Sequence, residues 1–107
     1  MLLKTIITDS MKLYIDTSDN KKTIIGLDNQ LEEFNSTNYR SQQLVALIEK
    51  VLTKQKKELK DLTAIEINLG PGSFTGLRIG VAVANALSWA LDIPLNNKRQ
   101  LLLPKYE

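Results

Sequence analysis

The stretch TAIEINLGPGSFTGLRIG, residues 63–80, decides how the chain folds. Residues 63–69 alternate like a strand, and they run directly into a glycine-rich loop, after which an apolar helix is expected from about residue 77 to residue 91. Four of the five glycines, Gly70, Gly72, Gly76 and Gly80, fall within this segment, where a strand ends and a helix begins. Backbone N–H groups gather at such a junction, so one reading is a phosphate cradle. The other is a tight turn shaped by Gly70, Pro71, Gly72 and Gly76, with Ser73 or Thr75 capping the helix. The spacing is neither a P-loop, which needs a following Gly-Lys-Ser/Thr, nor the G-x-G-x-x-G dinucleotide fingerprint.

Toward the N-terminus, KLYIDTS and TIIGL read as two strands joined across Asp19-Asn20-Lys21-Lys22. A turn at Asp28-Asn29-Gln30 leads into a third strand, LEEF, and residues 35–38 form a polar loop. From Ser41 the period becomes helical: Leu44, Leu47, Ile48, Val51 and Leu52 share one side, and Glu49, Lys50 and Lys54 the other. Lys56, Lys57 and Lys60 alternate with Glu58 and Asp61, the pattern of a solvated helix end and not of a nucleic-acid patch. Pro94 is expected to stop the long helix, and IPL (residues 93–95) to supply a last short strand.

The order β-β-β-α-β-α-β specifies an α/β domain with a mixed five-stranded sheet in the order 3-2-1-4-5 and two main helices. Residues 11–107 make that single domain, and residues 1–10 are an N-terminal extension. With 14 Lys+Arg against 12 Asp+Glu, the net charge of +2 selects no class of partner. The absence of histidine and cysteine excludes disulfides, thiol nucleophiles, imidazole bases and zinc sites of the usual ligands. No stretch is expected to reach the roughly 20 apolar residues of a membrane span, and MLLKTIITDS is too polar for a signal peptide. A cytoplasmic protein with no membrane contact is the expectation.

In the long helix, the polar positions Arg78, Asn85, Ser88 and Asp92 form only a narrow strip. Gly80, Val83 and Leu87 are expected to face the sheet. The remaining apolar surface exceeds what one sheet covers, so it either meets the first helix or forms an interface. Asp16, Thr17 and Ser18 end the first strand, where a carboxylate is either a turn residue or the acid of a nucleotide site. Ser73 and Thr75 lack a histidine to activate them, and Tyr39 and Trp89 are single aromatics whose commonest role is packing.

GPGSFTGLRIG (residues 70–80) resembles the signature of the bacterial TsaB (YeaZ) family of threonylcarbamoyladenosine-biosynthesis proteins. Ile15-Asp16-Thr17-Ser18 is similar to that family's first strand end, Ser41-Gln42-Gln43-Leu44 to its first-helix pattern, and Ala86-Leu87 and Ile93-Pro94-Leu95 also fall in place. The similarity runs from Met11 to about Leu103 and resembles an N-terminal half, the family chain being about twice as long; Arg40 stands where the family usually has histidine.

The resemblance implies an actin-like, ribonuclease-H-like fold and a non-catalytic scaffold without a cofactor. Its implied partner is a TsaD-like catalytic subunit, which with a TsaE-like ATPase transfers a threonylcarbamoyl group to the adenosine next to the anticodon; tRNA would be met only indirectly. The implied interface lies on the two helices, at Leu44, Val45, Ile48 and Leu52 on the first and Leu77, Arg78, Val81 and Ser88 on the second. Two alternatives stand beside it: an actin-like nucleotide-binding or hydrolysing protein using Asp16 and the glycine loop, and a homodimer formed through the same helices.

Overall fold

In the computed structural model, residues 10–35 and 40–98 are described. The extension 1–10 (save Ser10), most of the polar loop with Tyr39, and the chain after Lys98 lie outside the described residues. Strands β1 (Lys12–Asp16), β2 (Lys22–Leu27) and β3 (Gln30–Asn35) form an antiparallel meander. Helix α1 (Ser41–Lys54) and a short 3₁₀ turn (Leu59–Asp61) then lead to β4 (Ala64–Ile67), which pairs parallel with β1 in the register Leu13↔Ile65 and Ile15↔Ile67. Helix α2 (Phe74–Leu91) follows.

The sheet order is β3-β2-β1-β4. The period-2 alternation turns Leu13, Ile15, Ile25, Leu27, Ile65 and Ile67 toward the helices, where they meet Leu44, Ile48, Val51 and Leu52 of α1 and Val81, Val83 and Ala84 of α2 in one core. The opposite face carries Lys12, Tyr14, Glu66, Lys22 and Glu33, with ion pairs Lys12–Glu66 at 3.1 Å and Lys22–Glu33 at 3.6 Å. These half-exposed pairs add little stability.

Four strands, not five, make the sheet among the described residues. Of the expected last strand only Leu95 pairs, by a single parallel bridge to Ile65. The reason is local: Asn96 and Asn97 take left-handed conformations (φ 51° and 66°) and fold the chain back, so that Leu95 next pairs with Lys98. The Asn96 side chain replaces the missing strand, its Oδ1 accepting from the Ile67 N–H at 2.8 Å and its Nδ2 donating to the Ile67 carbonyl at 3.2 Å.

Helix α2 starts earlier than the sequence expectation and ends where it was expected. It starts at Phe74, because Ser73 caps it by accepting from the Gly76 N–H at 3.3 Å. It ends at Leu91, before Pro94, because Asp92 takes a left-handed C-cap conformation (φ 56°) and the Ser88 hydroxyl binds the Ile93 carbonyl. By length and composition alone α2 is apolar enough to cross a membrane, contrary to the expectation that no segment would be; its inner face is packed into the core.

Candidate functional site

The glycine loop is organised around the end of β1. A methyl group added at Gly72 would meet the Ser18 carbonyl, one at Gly76 the Thr17 carbonyl, and one at Gly80 the Thr17 hydroxyl, each closer than side-chain contacts permit. The Thr17 hydroxyl, fully buried, donates to the Gly76 carbonyl at 2.7 Å, and the Ser73 N–H donates to the Ser18 carbonyl at 2.7 Å. Gly70 alone needs glycine for its conformation (φ 107°), and the Gly70–Pro71 bond is cis. Of the two readings of the motif, the geometry supports the structural one: Gly72, Gly76 and Gly80 are closed against the chain's own strand. Ser73 is the cap, while Thr75 is exposed and makes no cap bond.

Beside this junction lies a polar cluster at the strand ends. Asp16 Oδ1 accepts from the Ser18 N–H at 2.9 Å and the Ser18 hydroxyl at 2.6 Å, and the Tyr14 hydroxyl donates to Oδ2 at 3.4 Å. The Asn68 amide donates to the Ser18 hydroxyl at 3.4 Å and accepts from the Gly70 N–H at 3.0 Å. Burial pushes the Asp16 carboxyl up, but hydrogen bonds from the Ser18 hydroxyl and backbone, Asn68 and Tyr14 outweigh it and hold the group below its ordinary value. Burial, then the Asp16 charge, push the Tyr14 phenol up. An open depression of about 480 Å³ lies alongside, lined by Ser18, Asp19, Asn20 and Ser73. No group of three or more acids able to hold a metal occurs among the described residues. Asp16 is thus engaged as a turn-stabilising acceptor for Ser18.

The second feature is the outer side of α2. Phe74, Arg78, Ala82, Ala86 and Trp89 recur at helical spacing and are all exposed, Phe74 to 55% and Trp89 to 86%. The Arg78 guanidinium sits 5.3 Å from the centre of the Phe74 ring, so one end of the strip is a cation over an aromatic face and the other a bare indole. By contrast, the exposed positions of α1 include Gln42, Gln43, Glu49, Lys50 and Thr53, a polar surface.

The residues of the expected interface sit at different depths. Leu44, Ile48, Leu52, Leu77 and Val81 are 0–4% exposed and belong to the chain's own interior, because α1 and α2 pack on each other as well as on the sheet. Val45 is half-buried, and Ser88 is half-buried with its hydroxyl bound to Ile93. Only Arg78 of the expected set stands fully on the open surface. Sequence did not point to Phe74, and it gave Trp89 only a packing role and Ala82 and Ala86 only that of small residues permitting close helix approach; the available signal was the spacing of all four with Arg78 on one side of the helix.

Comparison with known proteins agrees with the local likenesses. The family model described as TsaD, tRNA N6-adenosine threonylcarbamoyltransferase, matches residues 35–97, more than half of the chain. The tRNA threonylcarbamoyladenosine biosynthesis protein TsaB of Buchnera aphidicola subsp. Schizaphis graminum is 44% identical over 52 residues, covering 49% of this chain and 25% of that protein. The TsaB of Bacillus subtilis is 54% identical over 37 residues, 35% of this chain and 16% of that one. Among solved structures, YeaZ from Pseudomonas aeruginosa superposes with a TM-score of 0.69 at 28% identity, over 80% of this chain and 41% of that one. The chain thus spans a quarter or less of these two relatives and about two fifths of the superposed structure. The family-model match over more than half of the chain, the curated relatives and the shared fold place the chain in the family of the TsaD model, among its TsaB (YeaZ) members.

Proposed function

We propose that this chain is a non-catalytic docking subunit in tRNA threonylcarbamoyladenosine biosynthesis and that it binds a TsaD-type catalytic subunit through the outer strip of α2. The observation that carries the reading is the strip itself: two large aromatics stand exposed on one helix, joined by alanines, next to a cation. A strip of this kind marks a contact surface, and Trp and Arg are the residues on which interfaces most depend. Ala82 and Ala86 between them let a partner helix approach closely. The names of the relatives support the pathway.

In this reading the unit is half of an actin-like fold, works in the cytoplasm without a cofactor, and acts with a TsaE-type ATPase as the third component. It meets tRNA only through the assembled complex. The nucleotide-hydrolysing alternative is less well supported, because Asp16 is occupied by Ser18 and the glycines face Thr17 and Ser18.

Light scattering of the chain, alone and mixed with the TsaD-type protein of the same organism, tests the proposal. A stoichiometric complex that Ala82→Glu abolishes supports it. A chain that ignores that protein refutes it, and a homodimer abolished by the same substitution assigns the strip to self-association instead.

A further inference from the structure

Apolar burial has no direction, so it brings α2 onto the sheet without deciding which side of the helix points outward. The ambiguity is acute here, because α2 is apolar on nearly every side: Leu77, Val81, Val83 and Ala84 face inward, and Phe74, Ala82, Ala86 and Trp89 outward. A partial roll about the helix axis, one that keeps Arg78 at the surface, would exchange some of these apolar positions for others. What breaks this near-symmetry is a directional contact. The Thr17 hydroxyl is wholly buried, and the hydrogen bond it donates to the Gly76 carbonyl at 2.7 Å spares it the cost of unpaired burial. Gly76 and Gly80, one turn apart, give the flat surface that lets the helix come this close to Thr17.

We propose that Thr17 is a positioning residue that sets the rotation of α2 and so selects which side of the helix is presented for docking. The role of that side rests on the function proposed above; the rotational role does not.

The chain has no cysteine, so single introduced thiols report the rotation directly. Ala82→Cys lies on the exposed side and Val83→Cys on the buried side. In the parent chain the first should react with a maleimide far faster than the second. Thr17→Val, of similar shape but without the hydroxyl, should shrink the ratio of the two rates about tenfold, the factor one buried hydrogen bond is worth. Thr17→Ser, which keeps the hydroxyl, should restore the parent ratio. A merely structural role would speed the labelling of every buried thiol alike, Leu44→Cys on α1 included, whereas a roll of α2 speeds it at Val83→Cys alone.

An unchanged ratio in Thr17→Val overturns the proposal, as does a ratio that falls equally in Thr17→Ser. If Thr17→Val does not fold, the same comparison is made with Gly80→Ala, whose methyl would press on the Thr17 hydroxyl and should likewise equalise the two rates. Failure of the parent chain to bind the partner would refute the docking reading while leaving the labelling comparison to decide the role of Thr17.

Discussion

Two substitutions on the same helix, Trp89→Ala and Val81→Glu, should have opposite consequences. Trp89 is 86% exposed and Val81 4% exposed. Removing the indole takes almost nothing from the folded chain, so its stability should stay within about 0.5 kcal/mol. In a complex, by contrast, a buried Trp contributes about 150–250 Å² of contact, worth at most about 4–6 kcal/mol at 25 cal/mol per Å². Part of that is offset by ordering the interface, which leaves roughly 2–4 kcal/mol, or about thirtyfold to a thousandfold in Kd. Val81→Glu places a carboxylate among Leu, Ile and Val side chains with no partner. At about 3–5 kcal/mol or more it uses up much of the roughly 5–15 kcal/mol that holds a domain together. Urea titration followed by circular dichroism reads the first quantity, and isothermal calorimetry with the TsaD-type partner the second. A folded Val81→Glu chain that fails to bind, beside a Trp89→Ala chain that binds like the parent, would show that the docking side of α2 lies where Val81 points.

The strand-end cluster makes a pH prediction. Because the Asp16 carboxyl is held below its ordinary 3.8 in the folded chain, its contribution is complete above about pH 4 and fades as pH falls through the folded value. The Tm gap between the parent and Asp16→Asn should therefore narrow on acidification below pH 4, and a gap that is flat with pH would refute the assignment. Ser73→Ala should cost about 1 kcal/mol in urea titration by uncapping α2, with amide exchange rising first at Gly76. Asn96→Ala removes both bonds to Ile67 and should cost about 1–2 kcal/mol by the same titration, with faster exchange of the Ile67 amide as its local signature.

Most of the architecture could be read from residue patterns because those patterns had one solution. Leu44, Ile48, Val51 and Leu52 against Glu49, Lys50 and Lys54 leave α1 a single way to lie, and the observed helix keeps the expected limits near Ser41 and Lys54. The alternation in KLYID and AIEI did the same for the two parallel strands. Where periodicity was weak, the reading failed. With apolar residues nearly all round α2, the pattern identified Gly80 and Val83 as inward-facing but did not show that Leu77 and Val81 were buried too. The fifth strand was lost to the left-handed backbone of Asn96 and Asn97, a conformation that Asn permits but does not require. The glycine loop was ambiguous for another reason: its counterpart is Thr17, distant in sequence, and only the fold brings the two together.

The exposed indole has a practical consequence. Trp89 is the chain's single tryptophan, so its fluorescence arises from one known place on the surface. In water that emission should lie far to the red and be freely quenched by acrylamide. A dilution series would then reveal whether two copies meet through α2, since burial of that one ring shifts the spectrum to the blue and slows the quencher. The molecule thus carries an unlabelled optical gauge at the point where contact is expected.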